Sequence, residues 1–141
     1  VRWVLIHDGA RPCVDRRLIE TVIRQVKRYG AVACGMPASL TVKVVDGARA
    51  VRLTLDREQL WFVQTPQAFR RDWWTDAMRY ADGHLERFPD DAAVLESAGF
   101  RVQMIPGDPL NIKVTTPEDL VVAKAILKVQ RSNCTLQTSN S

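Results

Sequence analysis

Three segments at the start of the chain follow one another in an order that few folds accommodate: an apolar run, an amphipathic helix pattern, and a second apolar run. Arg2–His7 is short and apolar and stops at Asp8-Gly9, a turn signal. Leu18, Ile19, Val22, Ile23 and Val26 then recur at the i, i+3, i+4 spacing that lines one face of a helix. Asp15 is placed to cap that helix, and Gly30 to end it in the left-handed conformation glycine permits. Ala31–Met36 is again small and apolar, closed by Pro37. Strand, helix, strand with apolar strands predicts a right-handed βαβ unit and a parallel sheet buried on both faces.

Downstream, Thr41–Val45 and Ala48–Thr54 are β-prone and meet at Asp46-Gly47, a hairpin signal. Lys43, Arg49, Arg52 and Arg57 make this piece too polar for a core, so it is expected to project as an arm. Leu60–Gln64 reads as a strand halted by Thr65-Pro66, Phe69–Tyr80 and Asp91–Ser97 as helices, and Phe100–Ile105 as a strand. Asp90 caps the second of these helices and Gly99 closes it. Asn111–Val114 is expected to form a last short strand. Thr116-Pro117-Glu118-Asp119 is a helix start, with a capping threonine, proline at the first helical position and acids in the first turn. That helix is expected to end near Val129, and residues 131–141 read as a disordered polar tail.

With 141 residues, 46% hydrophobic and 26% charged, the chain has the size and composition of one soluble domain. Its longest apolar stretch, Leu120–Leu127 with Lys124 inside it, falls short of the ~18 residues of a membrane span. No secretory signal pattern is present, and a soluble intracellular protein is expected. Cys13, Cys34 and Cys134 are scattered, with neither a disulfide framework nor zinc spacing. His7 and His84 are assigned structural or surface roles. Residues 1–71 carry 13 basic and 6 acidic side chains, and the remainder 7 and 10. The basic residues are dispersed among apolar ones, with 7% aromatics and no dense Lys/Arg run, which argues against nucleic acid. The pattern suits a pocket for small phosphorylated ligands.

In an open α/β sheet, ligands bind outside the carboxyl ends of the strands. Three segments bring polar groups there: His7–Pro12, Gln64–Gln67 and Asn111–Thr116. An acid, an arginine, a threonine and a lysine converging at that edge would suit a phosphorylated substrate and Mg²⁺, a hard cation that takes oxygen ligands. Each also has a plainer reading. Asp8 alone is equally an Asx-turn residue, Arg11 a neutraliser of its own loop, Thr65-Pro66 a strand terminator, and Lys113 a snorkelling edge residue.

The strings HDGARP (His7–Pro12), TVKVVD (Thr41–Asp46), TLDREQLWFVQTPQAF (Thr54–Phe69) and GDPLNIKVTTPEDLVVAKAIL (Gly107–Leu127) resemble the 2-C-methyl-D-erythritol 4-phosphate cytidylyltransferases of the non-mevalonate isoprenoid pathway. The resemblance is collinear over about residues 3–129. It implies an α/β, Rossmann-like, mostly parallel sheet with flanking helices, a protruding hairpin arm over about residues 38–58, and an incomplete N-terminus, in one domain over 1–130. The implied reaction is attack of a sugar-phosphate oxygen on the α-phosphorus of CTP with release of pyrophosphate, in the presence of Mg²⁺. Because the nucleophile is already anionic, positioning and electrostatics would carry catalysis. By resemblance, Asp8, Arg11 and Lys113 are the catalytic set; Asp8, Ala10 and Lys113 face the nucleotide; Asp8 meets the metal; and Thr41, Arg57 and Thr65 hold the substrate. The arm would reach a homodimer partner, and Arg57 would serve that partner's site. The implied location is the cytoplasm, or the plastid stroma in a plant or alga, with no membrane or nucleic-acid partner.

Leu40, Val44 and Pro89 depart from the family pattern of an aspartate, a basic residue and a threonine at those places. The family's glycine-rich loop and following lysine, which cradle the triphosphate, are not among these residues, and Val1 leads directly into a strand pattern. The expectation is a C-terminal fragment, inactive alone. The alternatives are a transferase for another alditol phosphate, such as ribitol 5-phosphate, and a truncated non-catalytic remnant.

Overall fold

The computed structural model describes residues 1–138. Strand β1 (Trp3–Ile6) leads through the Asp8 loop into helix α1 (Arg16–Tyr29), then β2 (Ala31–Pro37). The arm follows as β3 (Lys43–Val45) and β4 (Val51–Thr54). Next come the long strand β5 (Trp61–Arg70), helices α2 (Arg71–Tyr80) and α3 (Asp91–Ser97), strand β6 (Gln103–Pro106) and helix α4 (Pro117–Thr138).

The main sheet has the order β1-β5-β2-β6. β2 and β6 are parallel neighbours, while β5 runs antiparallel to both β1 and β2. Three of four strands therefore point one way, but the first and second are not adjacent. β5 lies between them. Its side chains explain the place it takes: Phe69 and Ala68 are buried on opposite faces and register with both neighbours, Phe69 with Val4 and Ala31, Ala68 with Leu5 and Val32.

Two-residue alternation divides the core between those faces. Ala31, Ala33 and Phe69 pack with Ala77, Ala81, Ala92, Val94 and Leu95 under α2 and α3. Val32, Cys34, Ala68 and Ile105 pack against Leu18, Val22 and Val26 of α1. Helices on both sides of one sheet make a three-layer α/β domain. Burial at Cys34 pushes its thiol up to about 11, so it is a packing residue and not a nucleophile.

The α1 caps fall where the sequence placed them. The Asp15 carboxylate accepts from the Arg17 N–H, and Gly30 takes φ +82° while its N–H donates to the Val26 carbonyl. A side chain at Gly30 would also meet the Trp73 ring at 2.6 Å. At α4, the Asp119 carboxylate accepts from the Thr115 and Thr116 N–H groups, and the Thr116 hydroxyl accepts from the Asp119 N–H, a reciprocal cap. These bonds hold the Asp119 carboxyl below the usual range.

Four local expectations are corrected. Thr65-Pro66 does not end its strand: β5 runs on to Arg70, and the Thr65–Pro66 bond is cis. The β2 register jumps there from Ala33↔Gln67 to Gly35↔Val63, a bulge in β5 that leaves proline with no ladder bond to donate. Phe69 and Arg70 belong to that strand, so α2 starts at Arg71. Asn111–Val114 forms no strand, because its polar groups are engaged by loops instead of a ladder. Helix α4 passes Val129 and reaches Thr138, into the segment expected to be a disordered tail; residues 139–141 of that tail lie outside the described residues.

Candidate functional site

The bulge in β5 has a consequence for chemistry. It turns Gln64 and Thr65 toward the loops that leave β1 and β6, and those three loops are tied together there. Gln64 donates to the Asp108 carbonyl at 2.9 Å and accepts from the Asp108 N–H at 3.1 Å. Asn111, fully buried, donates to the Thr65 carbonyl at 2.7 Å. The Val114 N–H donates to the Ala10 carbonyl at 2.8 Å, which fixes the segment carrying Lys113 against the Asp8 loop.

Asp8 sits at the centre. Its Oδ2 accepts from Arg11 Nε at 3.3 Å and lies 3.5 Å from Lys113 Nζ. Its N–H donates to the Thr65 hydroxyl at 2.9 Å. Arg11 is the better-buried cation, its side chain 11% exposed against 50% for Lys113. Its other donors go to the Asn111 carbonyl at 2.8 Å and, more weakly, the Val63 carbonyl at 3.5 Å. Arg11 is thus a clamp between loops, whereas Lys113 reaches into open space. One carboxylate between two cations leaves a net positive edge, suited to an anion.

A cleft of about 590 Å³ opens in front of this group, lined by Asp8, Arg11, Thr65 and Lys113 on one wall and by Pro89, Asp90 and Asp91 on the other. Burial, then Asp90, then Asp8 raise the Asp91 carboxyl above its ordinary value, so the far wall is acidic and partly desolvated. Asp90 itself is occupied: it accepts from Gln67 and from the Ala93 N–H at the start of α3. The cleft is bipolar, with cations for a phosphate at one end and carboxylate acceptors for hydroxyls at the other.

Of the residues singled out in the sequence, Asp8, Arg11, Thr65 and Lys113 converge on this cleft. Ala10 contributes through its carbonyl. Thr41 and Arg57 do not line it: both are exposed beside the arm, and Arg57 donates to the Ser39 carbonyl at 3.1 Å. The sequence places His7, Gln64 and Asn111 in the segments expected at this edge but gives none of them a role there, and it gives Asp91 none either. Asn111 could have been suspected, since a polar side chain flanked by Leu110 and Ile112 is in a position to be buried. A larger concavity, about 790 Å³, lies at the opposite end of the sheet among Arg2, Lys27, Arg70 and Trp73. None of the motif residues borders it, and Arg70 there pairs with Asp72 and stacks on Trp73.

Among the described residues no group of three or more His, Cys, Asp or Glu could hold a metal ion alone. No helix among them is long and apolar enough to cross a membrane.

A three-layer α/β domain with a net positive edge at the strand ends defines the class as Rossmann-like. More narrowly, the chain belongs to the 2-C-methyl-D-erythritol 4-phosphate cytidylyltransferase family, which it matches over residues 1–129. It is 42% identical over 125 residues to the Syntrophus aciditrophicus enzyme of that name, covering 89% of this chain and 53% of the relative. It is 45% identical over 125 residues to the Clostridium novyi enzyme, covering 89% and 54%. The crystal structure of the Thermus thermophilus enzyme superposes with a TM-score of 0.82 at 34% identity, over 91% of this chain and 63% of that one. The Francisella tularensis enzyme gives 0.80 at 33%, over 88% and 58%. The chain spans about half the length of the curated relatives it matches.

Proposed function

We propose that this chain supplies the sugar-phosphate side of a cytidylyltransferase that joins CTP and 2-C-methyl-D-erythritol 4-phosphate. The observation that carries this reading is the meeting of Asp8 and Lys113, 3.5 Å apart, at the mouth of a bipolar cleft in a chain of that family.

In the reaction, an oxygen of the substrate phosphate forms a bond to the α-phosphorus of CTP, the bond from that phosphorus to the β-phosphate bridge breaks, and pyrophosphate leaves. Lys113, half-exposed and held by the Val114–Ala10 bond, is placed to meet the crowded phosphates and offset their charge. Arg11 keeps the Asp8 loop in place, Ala10 fixes it to the Lys113 segment, and Thr65 stands at the substrate end. The cations at Asp8 both approach Oδ2, which leaves Oδ1 as a carboxylate oxygen for Mg²⁺. Mg²⁺ is commonly bound by one or two carboxylates plus substrate phosphates, so a single aspartate fits it. When bound, the ion would supply charge neutralisation at the phosphates.

Thr41 and Arg57 stand away from the cleft of their own chain, and we assign them to the site of a partner subunit in a homodimer built on the arm. The exposure of Val44, Val45, Val51 and Leu53 supports that assembly. The protein is proposed to act in the cytoplasm, without nucleic-acid or membrane partners. The isolated 141 residues are proposed to bind sugar phosphate without turning over CTP. Pyrophosphate release is the test, measured with CTP, Mg²⁺ and either methylerythritol phosphate or ribitol 5-phosphate. Complementing the chain with the N-terminal half of a relative should give release with methylerythritol phosphate. Release with ribitol 5-phosphate alone would reassign the substrate, and normal rates from the isolated chain would refute the division of labour.

A further inference from the structure

His7 stands beside Asp8 and makes two hydrogen bonds that together settle its role. Its Nε2 lies 3.1 Å from the Arg11 carbonyl oxygen, and its Nδ1 lies 3.0 Å from the Thr65 hydroxyl. A carbonyl oxygen can only accept, so in the neutral ring Nε2 carries the proton and Nδ1 is bare. A bare Nδ1 can only accept, so the single Thr65 hydroxyl proton goes to it. The Thr65 oxygen is then left with lone pairs, and the Asp8 N–H, 2.9 Å away, donates to one of them. The chain of donors runs from Asp8 N–H to Thr65, from Thr65 to His7, and from His7 to the Arg11 carbonyl. It begins and ends on the same loop.

We propose that His7 is a positioning residue for the candidate cleft: it orients the Thr65 hydroxyl as an acceptor for the Asp8 amide and so holds the Asp8 carboxylate toward Lys113. Thr65 then acts through Asp8, since its one proton is committed to His7 and is not offered to a ligand. The role of the cleft in holding phosphate rests on the function proposed above; the hydrogen-bond chain does not.

The test uses the 141-residue chain in five versions: wild type, His7→Phe, Thr65→Val, the double variant and His7→Asn. Three quantities are read by nuclear magnetic resonance: the His7 tautomer, the exchange rate of the Asp8 amide hydrogen, and the affinity for inorganic phosphate. In the wild type the Nε2–H tautomer is expected to dominate, and Thr65→Val is expected to release it. Each single variant should speed Asp8 amide exchange about three- to tenfold, the range that one net hydrogen bond corresponds to. The double variant should be no faster than either single one, because the two residues act in series. His7→Asn, whose side-chain carbonyl can accept from Thr65, should recover most of the protection. Phosphate affinity should fall in the same order. An Nδ1–H tautomer in the wild type, an unchanged Asp8 amide in His7→Phe, or losses that multiply in the double variant would each overturn the proposal. If the wild type takes up no phosphate while the tautomer and exchange results hold, the function proposed for the cleft fails and the positioning role stands.

Discussion

Replacing Arg11 by lysine keeps the charge and removes the fork, and the structure says which of these matters. The guanidinium reaches three acceptors at once, Asp8 Oδ2 at 3.3 Å, the Asn111 carbonyl at 2.8 Å and the Val63 carbonyl at 3.5 Å, from a side chain only 11% exposed. An ammonium on a flexible stem cannot span the Asp8 loop and the Asn111 segment together. The bond at risk is the short one to Asn111, a residue with no exposed surface, whose carbonyl has no water to fall back on. A hydrogen bond to a charged group contributes about 1.5–3 kcal/mol, and an unsatisfied buried acceptor costs a similar amount. The long contact to Val63 is at the limit of a hydrogen bond and adds little. Arg11→Lys is therefore expected to lose about 2 kcal/mol, which in urea, at a slope of about 2 kcal/mol per molar, lowers the unfolding midpoint by about 1 M. Equilibrium urea unfolding followed by tryptophan fluorescence measures this. A midpoint within about 0.2 M of the wild type, at an unchanged slope, would refute the clamp and return Arg11 to the role of a charge facing ligand.

Other expectations follow from single positions. Gly30→Ala combines a left-handed φ of +82° with a Cβ 2.6 Å from the Trp73 ring, and should cost about 2–4 kcal/mol in the same unfolding assay. Asp91 has a folded-state pKa raised above its unfolded value, so its ionised form opposes folding at neutral pH, and the penalty fades as pH falls through the raised pKa to the unfolded one. Asp91→Asn should accordingly be more stable than the wild type at about pH 7 and lose that advantage by about pH 3.5; an equal gain at both pH values would contradict it. Val51→Lys with Leu53→Lys, on the exposed strand of the arm, should convert the proposed dimer to monomers in sedimentation velocity and weaken sugar-phosphate binding, since Thr41 and Arg57 would no longer reach the other subunit's site; an unchanged mass would remove the arm from the interface.

The sequence was most legible where a local signal and the core agreed. Asp15, Gly30, Asp90 and the Thr116–Asp119 cap fall at the helix ends where their chemistry demands, and α1 keeps its apolar stripe against the sheet. It was least legible along β5. Thr65-Pro66 reads as a stop, yet the strand continues, because a proline within a bulge owes no bond to the ladder. That also hid the antiparallel placement of β5 between β1 and β2, a long-range outcome that periodicity does not encode. At the site, the convergence of Asp8, Arg11, Thr65 and Lys113 was readable from the rule that ligands gather at strand ends. What each does there was not. Arg11 looks like a ligand by type and is a clamp by its partners, while His7 looks dispensable alone and gains meaning from a hydroxyl 58 residues away.

The cleft between the Asp8 loop and α3 is proposed to hold the phosphate of a sugar phosphate. Titrating methylerythritol phosphate into the ¹⁵N-labelled chain probes this cleft residue by residue. The expected result is saturable shifts at Asp8–Arg11, Gln64–Thr65 and Asn111–Val114, abolished by Lys113→Met in a chain that remains folded. Shifts centred instead on Arg2, Arg70 and Arg71 at the opposite end of the sheet, or shifts that survive Lys113→Met unchanged, would contradict it.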